Sequence, residues 1–189
     1  MSVILHALLL DVPEAVDTER LRLEATRAGR GEAISGAVAE SYAELKRWMP
    51  WAKEPQSADD SEGHCRAMQA RWHAREELDF CFVRRSDGLL VGKGGLHTID
   101  WLVPKFEIGY WVRTSCSRQG LATEAARGLA EMARRCLGAM RLEITSDARN
   151  FPSRKVAEKA GFELEGIRRK SRRDVTGALA DSCMYARVF

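Results

Sequence analysis

The segment 106–137, "FEIGYWVRTSCSRQGLATEAARGLAEMARRCL", constrains this chain more than any other. Its first seven residues (106–112) read as a strand. From 121 to 137 the period turns helical, with Leu121, Ala125, Leu129, Met132 and Cys136 on one face. Gly138 stands where a helix stop belongs. The oddity is Gly120, a poor helix former at the entrance to a strong helix. A glycine turn before an ordinary helix is one account. The other is an anion site. Backbone N–H groups at a helix N-terminus lack intrahelical acceptors, and the helix dipole adds partial positive charge. On the second account residues 118–123 form a phosphate cradle, with Gly120 and Ala122 keeping side chains out of the way and Arg118 adding a charged contact.

Other segments extend the pattern. "ERLRLEAT" (19–26) alternates like a half-buried strand, and helical spacing runs from about 31 to 49 through Ile34, Val38, Tyr42 and Leu45. "RWMPWAKEP" breaks that helix, and "SADD" (57–60) is a capping box opening a second helix to about 77. Strands are expected at 79–85 and 89–99, joined by the turn Ser86-Asp87-Gly88, and then at 141–147. A short helix follows at 152–161, and two strands close the chain at 162–173 and 181–189. Gly92, Gly94 and Gly95 mark a bulge or a close backbone approach. These elements predict a single α+β domain around one mixed sheet.

Several functions are excluded or weakened by what is missing. The 30 Lys+Arg against 27 Asp+Glu leave a net charge of +3, too mild to indicate direct nucleic-acid binding. The five cysteines are scattered without CxxC or Cys/His spacing, which argues against a disulfide framework and a metal site and suits a reducing, cytoplasmic setting. "VILHALLL" is too short for a membrane span and lacks the flanks of a secretion signal, so it is expected to be an added packed segment such as a strand. No GxxxxGK[ST] or GxGxxG occurs.

"EIGYWV", "RQGLATEA", "DARNFPSRKVAEKAGFELEG" and "MYARVF", with the "ERLRLE" opening and the "WMPWA" loop, resemble the GNAT N-acetyltransferases, most of all the RimJ/RimL branch that acetylates ribosomal-protein N-termini. The likeness runs over 19–189, leaving 1–18 as an N-terminal extension. It implies the GNAT fold, a mixed central sheet flanked by helices. It also implies acetyl-CoA as cosubstrate, held by Arg118, Gln119, Gly120, Leu121, Ala122 and Thr123 at its pyrophosphate. The pantetheine arm is implied to lie along Tyr110, Trp111 and Val112, with Asn150 and Ser153 on its other side. Ser117 departs from the family's usual Gln or Arg. Asn150 also reads independently as a helix cap.

The implied reaction is attack of a neutral amine on the thioester, with a strand amide steadying the developing oxyanion. The family's tyrosine acid falls here on Ala157, and the glutamate base of the RimL-type enzyme on Arg172. Glu107 is left as candidate base and Ser153 as candidate acid, with His97, Trp48 and Trp51 toward the acceptor. Cys116 has no neighbouring histidine to activate it. The acceptor is expected to be a primary amine: a protein N-terminal α-amine, as on a ribosomal protein, or alternatively an antibiotic, polyamine or toxin. A non-catalytic acyl-CoA-binding or RNA-docking module is the rival of another class, resting on "RRKSRR" (168–173). A twofold dimer through the last strands is a further expectation.

Overall fold

The computed structural model describes residues 7–189. Eight strands and four helices follow in the order β1 (Ala15–Asp17), β2 (Leu21–Ala25), α1 (Gly31–Trp48), α2 (Ala58–Ala74), β3 (Leu78–Arg84), β4 (Leu90–Asp100), β5 (Lys105–Val112), α3 (Leu121–Leu137), β6 (Arg141–Asp147), α4 (Phe151–Lys159), β7 (Glu163–Arg173) and β8 (Leu179–Val188). One sheet holds all eight strands, in the order β1-β2-β3-β4-β5-β6-β8-β7. The α+β reading with a mixed sheet holds. β1 was not anticipated, being only three residues long. The described part of the N-terminal apolar run is not a strand: Ala7 and Leu8 are helical, and residues 1–6 lie outside the described residues.

Local chemistry accounts for the boundaries. Ser57 and Asp60 cap α2 reciprocally, as the capping box requires. Gly138 ends α3 in the left-handed conformation at φ 65°. Leu121, Ala125, Leu129 and Met132 are buried together in the larger core, on the face of the sheet that carries Leu78, Phe80, Leu96, Phe106 and Ile108. A smaller core joins the opposite face to α1 and α2 through Ile34, Val38, Cys65, Cys81 and Leu90.

The feature that positions the site is a split in the sheet. β5 and β6 are its parallel neighbours, and they pair only from Lys105↔Arg141 to Glu107↔Glu143. Beyond that, β5 stays bonded to β4 as far as Gly92↔Val112, while β6 stays bonded to β8 as far as Asp147↔Ser182. The two strands therefore part company at Glu107. The bond from Arg113 N to Val91 O sets the phase of β5. Because strand residues alternate their backbone groups, those of Tyr110 and Val112 face the split.

The glycines of β4 mark a close approach. A Cβ on Gly92 would lie 2.2 Å from the Trp111 carbonyl oxygen, and one on Gly94 would lie 2.3 Å from that of Gly109. Gly94→Ala is expected to destabilise the fold by about 1–3 kcal/mol, the usual cost of overpacking. Urea denaturation checks this; a change below about 0.5 kcal/mol, as at an ordinary surface site, would show that β4 and β5 can separate freely.

Candidate active site

The turn into α3 is braced from α1. Glu40 accepts the backbone N–H of Ser115 at 3.1 Å and pairs with Arg113 at 2.5 Å, and Ser41 Oγ accepts the Thr114 N–H at 3.0 Å. The bonds from Ser115 hold the Glu40 carboxyl below its ordinary pKa. Gly120 occupies the N-cap at φ 81°, a left-handed conformation that only glycine adopts without strain. Its own side offers no capping side chain, so the amides of Leu121, Ala122 and Thr123 have no intrahelical acceptor. Ser117 spends its hydroxyl on the Thr114 carbonyl at 2.7 Å, and Gln119 Nε2 donates to the Ser115 carbonyl at 3.0 Å. Arg118 is exposed, whereas Cys116 is buried beneath the turn.

One residue at this turn was not singled out from the sequence. Arg20 donates to the Gln119 carbonyl at 2.9 Å and forms an ion pair with Glu124 at 2.7 Å. Glu124 also accepts Thr18 Oγ1 at 2.6 Å, so a buried-side carboxylate fixes the guanidinium beside Gly120. The only signal in the sequence was the pairing of a charged strand opening with Glu124 in the first turn of α3, over a separation of 104 residues.

The split opens into a cavity of about 570 Å³. Tyr110, Trp111, Asn150, Ser153, Glu107, His97, Trp48 and Trp51 all border it, whereas the cradle residues 118–123 lie outside its wall. On one flank Tyr110 Oη donates to the Ser153 carbonyl at 3.1 Å and lies 3.2 Å from Ser153 Oγ. Burial pushes the Tyr110 phenol up to about 12, keeping it protonated. Asn150 caps α4 by accepting the Ser153 N–H at 3.2 Å, so the cap account of that residue stands alongside its place in the wall. Ala157, at the family's tyrosine position, is fully buried in the core. The Ser146 hydroxyl, also in the wall, is buried without a hydrogen-bond partner.

The other flank is the face toward α1 and α2. Trp51 stacks obliquely near Trp111, with ring centroids 6.2 Å apart. His97 and Glu107 are direct cross-strand partners, as are Gly95 and Gly109 next to them. A Cβ on Gly109 would lie 2.9 Å from His97 Nε2, so the imidazole overhangs that glycine. Its Nδ1 is engaged by Thr98 Oγ1 at 2.9 Å. Glu107 makes no hydrogen bond or ion pair among the described residues, unlike Asp147 across the split, which Arg149 and Arg172 both grip. Arg172 is thereby turned into the cavity wall, while its neighbours in the basic run remain exposed.

A GNAT acetyltransferase domain model matches residues 20–163. The chain belongs to that family. Its relative YdaF of Bacillus subtilis (strain 168) is 30% identical over 138 residues, covering 71% of this chain and 73% of YdaF. The ribosomal-protein-serine acetyltransferase of Escherichia coli (strain K12) is 25% identical over 171 residues, covering 90% and 94%. Among solved structures, RimJ of Mycobacterium smegmatis in complex with CoA-disulfide superposes with a TM-score of 0.85 at 24% identity, over 93% of this chain and 88% of that one. The expected GNAT fold and RimJ/RimL kinship are therefore met, and the chain is an acetyltransferase by family. No helix among the described residues is long and apolar enough to cross a membrane.

Bonds from Arg149, opposed by desolvation and aided by the Arg172 charge, hold the Asp147 carboxyl of this GNAT domain below its ordinary pKa. A depressed folded pKa stabilises above the unfolded value, near 3.9, and that contribution disappears as pH falls through the folded one. Asp147→Asn is thus expected to flatten the acid limb of the melting-temperature profile below about pH 4. An unchanged limb in thermal melts between about pH 2 and 6 would remove Asp147 from acid unfolding.

Proposed function

We propose that this GNAT domain transfers acetyl from acetyl-CoA to the α-amine of a protein N-terminus, a ribosomal protein being the class its relatives point to. The observation that carries the reading is the split between β5 and β6, lined by unpaired backbone on one side and leading to an uncapped helix N-terminus. Buried backbone groups left without partners are costly, so a ligand that runs as an extended strand along Tyr110 and Val112 relieves a real deficit. The pantetheine amides of acetyl-CoA fit that edge. Its pyrophosphate fits the amides of Leu121, Ala122 and Thr123, with Arg118 and Arg20 supplying charge. Gln119 contributes through the carbonyl that fixes Arg20. Trp111 meets the acceptor rather than the cofactor, since its side chain stands on the α1 face beside Trp51.

Acetyl-CoA supplies the activated acyl group. The chain's residues orient and move protons. The acceptor nitrogen bonds to the carbonyl carbon as the C–S bond breaks. Negative charge developing on the carbonyl oxygen is met by a backbone amide of β5. Glu107, without an ion pair among the described residues, receives the proton leaving the nitrogen, with His97 beside it. The departing thiolate takes a proton from Ser153, which Tyr110 backs through its hydroxyl. An α-amine, with a pKa near 7.7–8.0, is already partly neutral at pH 7 and asks little of that base; a lysine near 10.4 asks far more. Trp48 and Trp51 wall the acceptor side.

The test is thiol release from acetyl-CoA with a panel of ribosomal-protein N-terminal peptides, their N-blocked forms, aminoglycosides and polyamines. Turnover confined to free N-termini is expected. A lysine side chain or an aminoglycoside as best acceptor at neutral pH would overturn the α-amine assignment, and failure to bind acetyl-CoA would overturn all of it. Tyr110→Phe is expected to lower kcat by about tenfold or more while leaving the acetyl-CoA KM nearly unchanged, as for loss of a proton donor. A kcat within about twofold of the parent would take Tyr110 out of the proton path.

A further inference from the structure

The cavity wall contains a buried charge pair that the reaction as described does not use. Lys93 sits in the middle of β4 with its side chain 5% exposed, and its Nζ lies 2.8 Å from Asp79 Oδ2 on β3. Both residues border the cavity. Asp79 Oδ2 is itself buried, so the pair meets the cavity with little water around it. Burial disfavours the charge of Lys93, but the Asp79 carboxylate outweighs it and raises the pKa above the ordinary lysine value. The ammonium is a permanent one. An ammonium carries three N–H donors, so one carboxylate contact leaves donors for an oxygen presented from the cavity.

Its position defines what that oxygen belongs to. Side chains at 93, 95 and 97 share one face of β4, the face toward α1 and α2. Their partners on β5 are Trp111, Gly109 and Glu107. The paired glycines 95 and 109 therefore form a bare backbone floor, with His97 and Glu107 at one end and Lys93 and Trp111 at the other. Two residues of strand separate Lys93 from the middle of that floor, about 7 Å. Glu107, opposite His97, is four residues of strand from the Lys93 position, about 13 Å, so an amine that meets the Glu107 side chain above the paired glycines stands about 7 Å from the Lys93 position.

We propose that Lys93, positioned by Asp79, is an acceptor-specificity subsite. It binds a hydrogen-bond-accepting oxygen, such as a peptide carbonyl, carried about 7 Å from the reacting amine. The acceptor is then amino-acyl in character, with its amine and an oxygen on one short frame. A polyamine, which would set a second cation against Lys93, is disfavoured by like-charge repulsion. This inference rests on the acetyltransferase reading above and deepens it.

Two acceptors of matched length, a dipeptide amide and an n-alkylamine, separate the outcomes when compared with spermidine in the thiol-release assay. The parent protein is expected to favour the dipeptide amide in kcat/KM by about tenfold or more, the worth of a charged hydrogen bond. Lys93→Met is expected to erase that preference through the dipeptide KM, with the acetyl-CoA KM held within about twofold. Because the single change strands the Asp79 carboxylate, the double variant Lys93→Met/Asp79→Asn, checked by its melting temperature, repeats the measurement. A folded double variant that keeps the preference overturns the subsite, as does spermidine proving the best acceptor. Turnover of neither amine, with acetyl-CoA binding intact by calorimetry, also overturns it and leaves the acetyltransferase reading in place. No acetyl-CoA binding removes both.

Discussion

Three residue pairs of parallel ladder, Lys105↔Arg141 to Glu107↔Glu143, are the constraint on which the rest of this molecule turns. A parallel pair normally continues for the length of its strands, since every residue added satisfies more backbone. Here both strands run on without each other, held by antiparallel neighbours on their outer sides. The chain keeps them apart with side chains and helices. The α3 crossover begins beside β5, α4 caps itself on Asn150 beside β6, and Tyr110 spans the gap to the Ser153 carbonyl at 3.1 Å. A sheet that gives up ladder bonds in its own middle retains the opening because something else completes it.

The split also separates two chemistries by face. On the α3 and α4 side, Tyr110 and Ser153 are poised as a neutral hydroxyl pair, with the phenol made a poorer acid by burial. On the α1 and α2 side the cavity is lined by the charge pairs of Lys93 with Asp79 and Arg172 with Asp147, by Glu77, which Arg71 holds, and by Glu107, which has no partner among the described residues. Alternation of side chains along β3 to β6 assigns Asp79, Lys93, Glu107 and Asp147 to one face and Tyr110 to the other, so the two sets stay on opposite sides of the sheet plane. A thioester lying in the split would have a hydroxyl donor on its sulfur side and a free base on its acceptor side. The glycine pair 95/109 clears the space between the acceptor's amine and the rest of it.

Legibility from the sequence followed the range of the interaction. The bounds of α3 and β6 and the capping box of α2 depend on neighbours a few residues away, and they were readable to the residue. Gly120 stood out as an odd entrance to that helix, and the structure gives it a left-handed N-cap, a conformation with one inexpensive occupant. The β4 glycines were readable as a close approach, but not as the floor of a cavity, because that needs the register Gly95↔Gly109. The site was half legible. Residues that bear chemistry in a family motif stood out, while Arg20 and Lys93 did not. Arg20 acts through Glu124, 104 residues away, and Lys93 reads in sequence as a polar residue inside "VGKGG". The short strand β1 gives too few alternations to be read at all.

The distribution of charge in the cavity carries the argument one step further. A lone buried lysine would shed its proton, and a lone buried aspartate would take one up. Here Lys93 lies against Asp79, and Arg149 and Arg172 lie against Asp147 across the split. Asp147, whose carboxyl Arg149 and Arg172 hold below its ordinary pKa, is a poor base, and Asp79 is occupied by Lys93. Glu107 differs from them in lacking a partner among the described residues, so its field is the one an incoming ammonium meets uncompensated. The ion pairs therefore do more than hold strands together. With Glu77 held by Arg71 as well, Glu107 is the carboxylate of the cavity wall without a partner among the described residues, and on the proposed reading it and Lys93 are the addresses for the acceptor's amine and its oxygen.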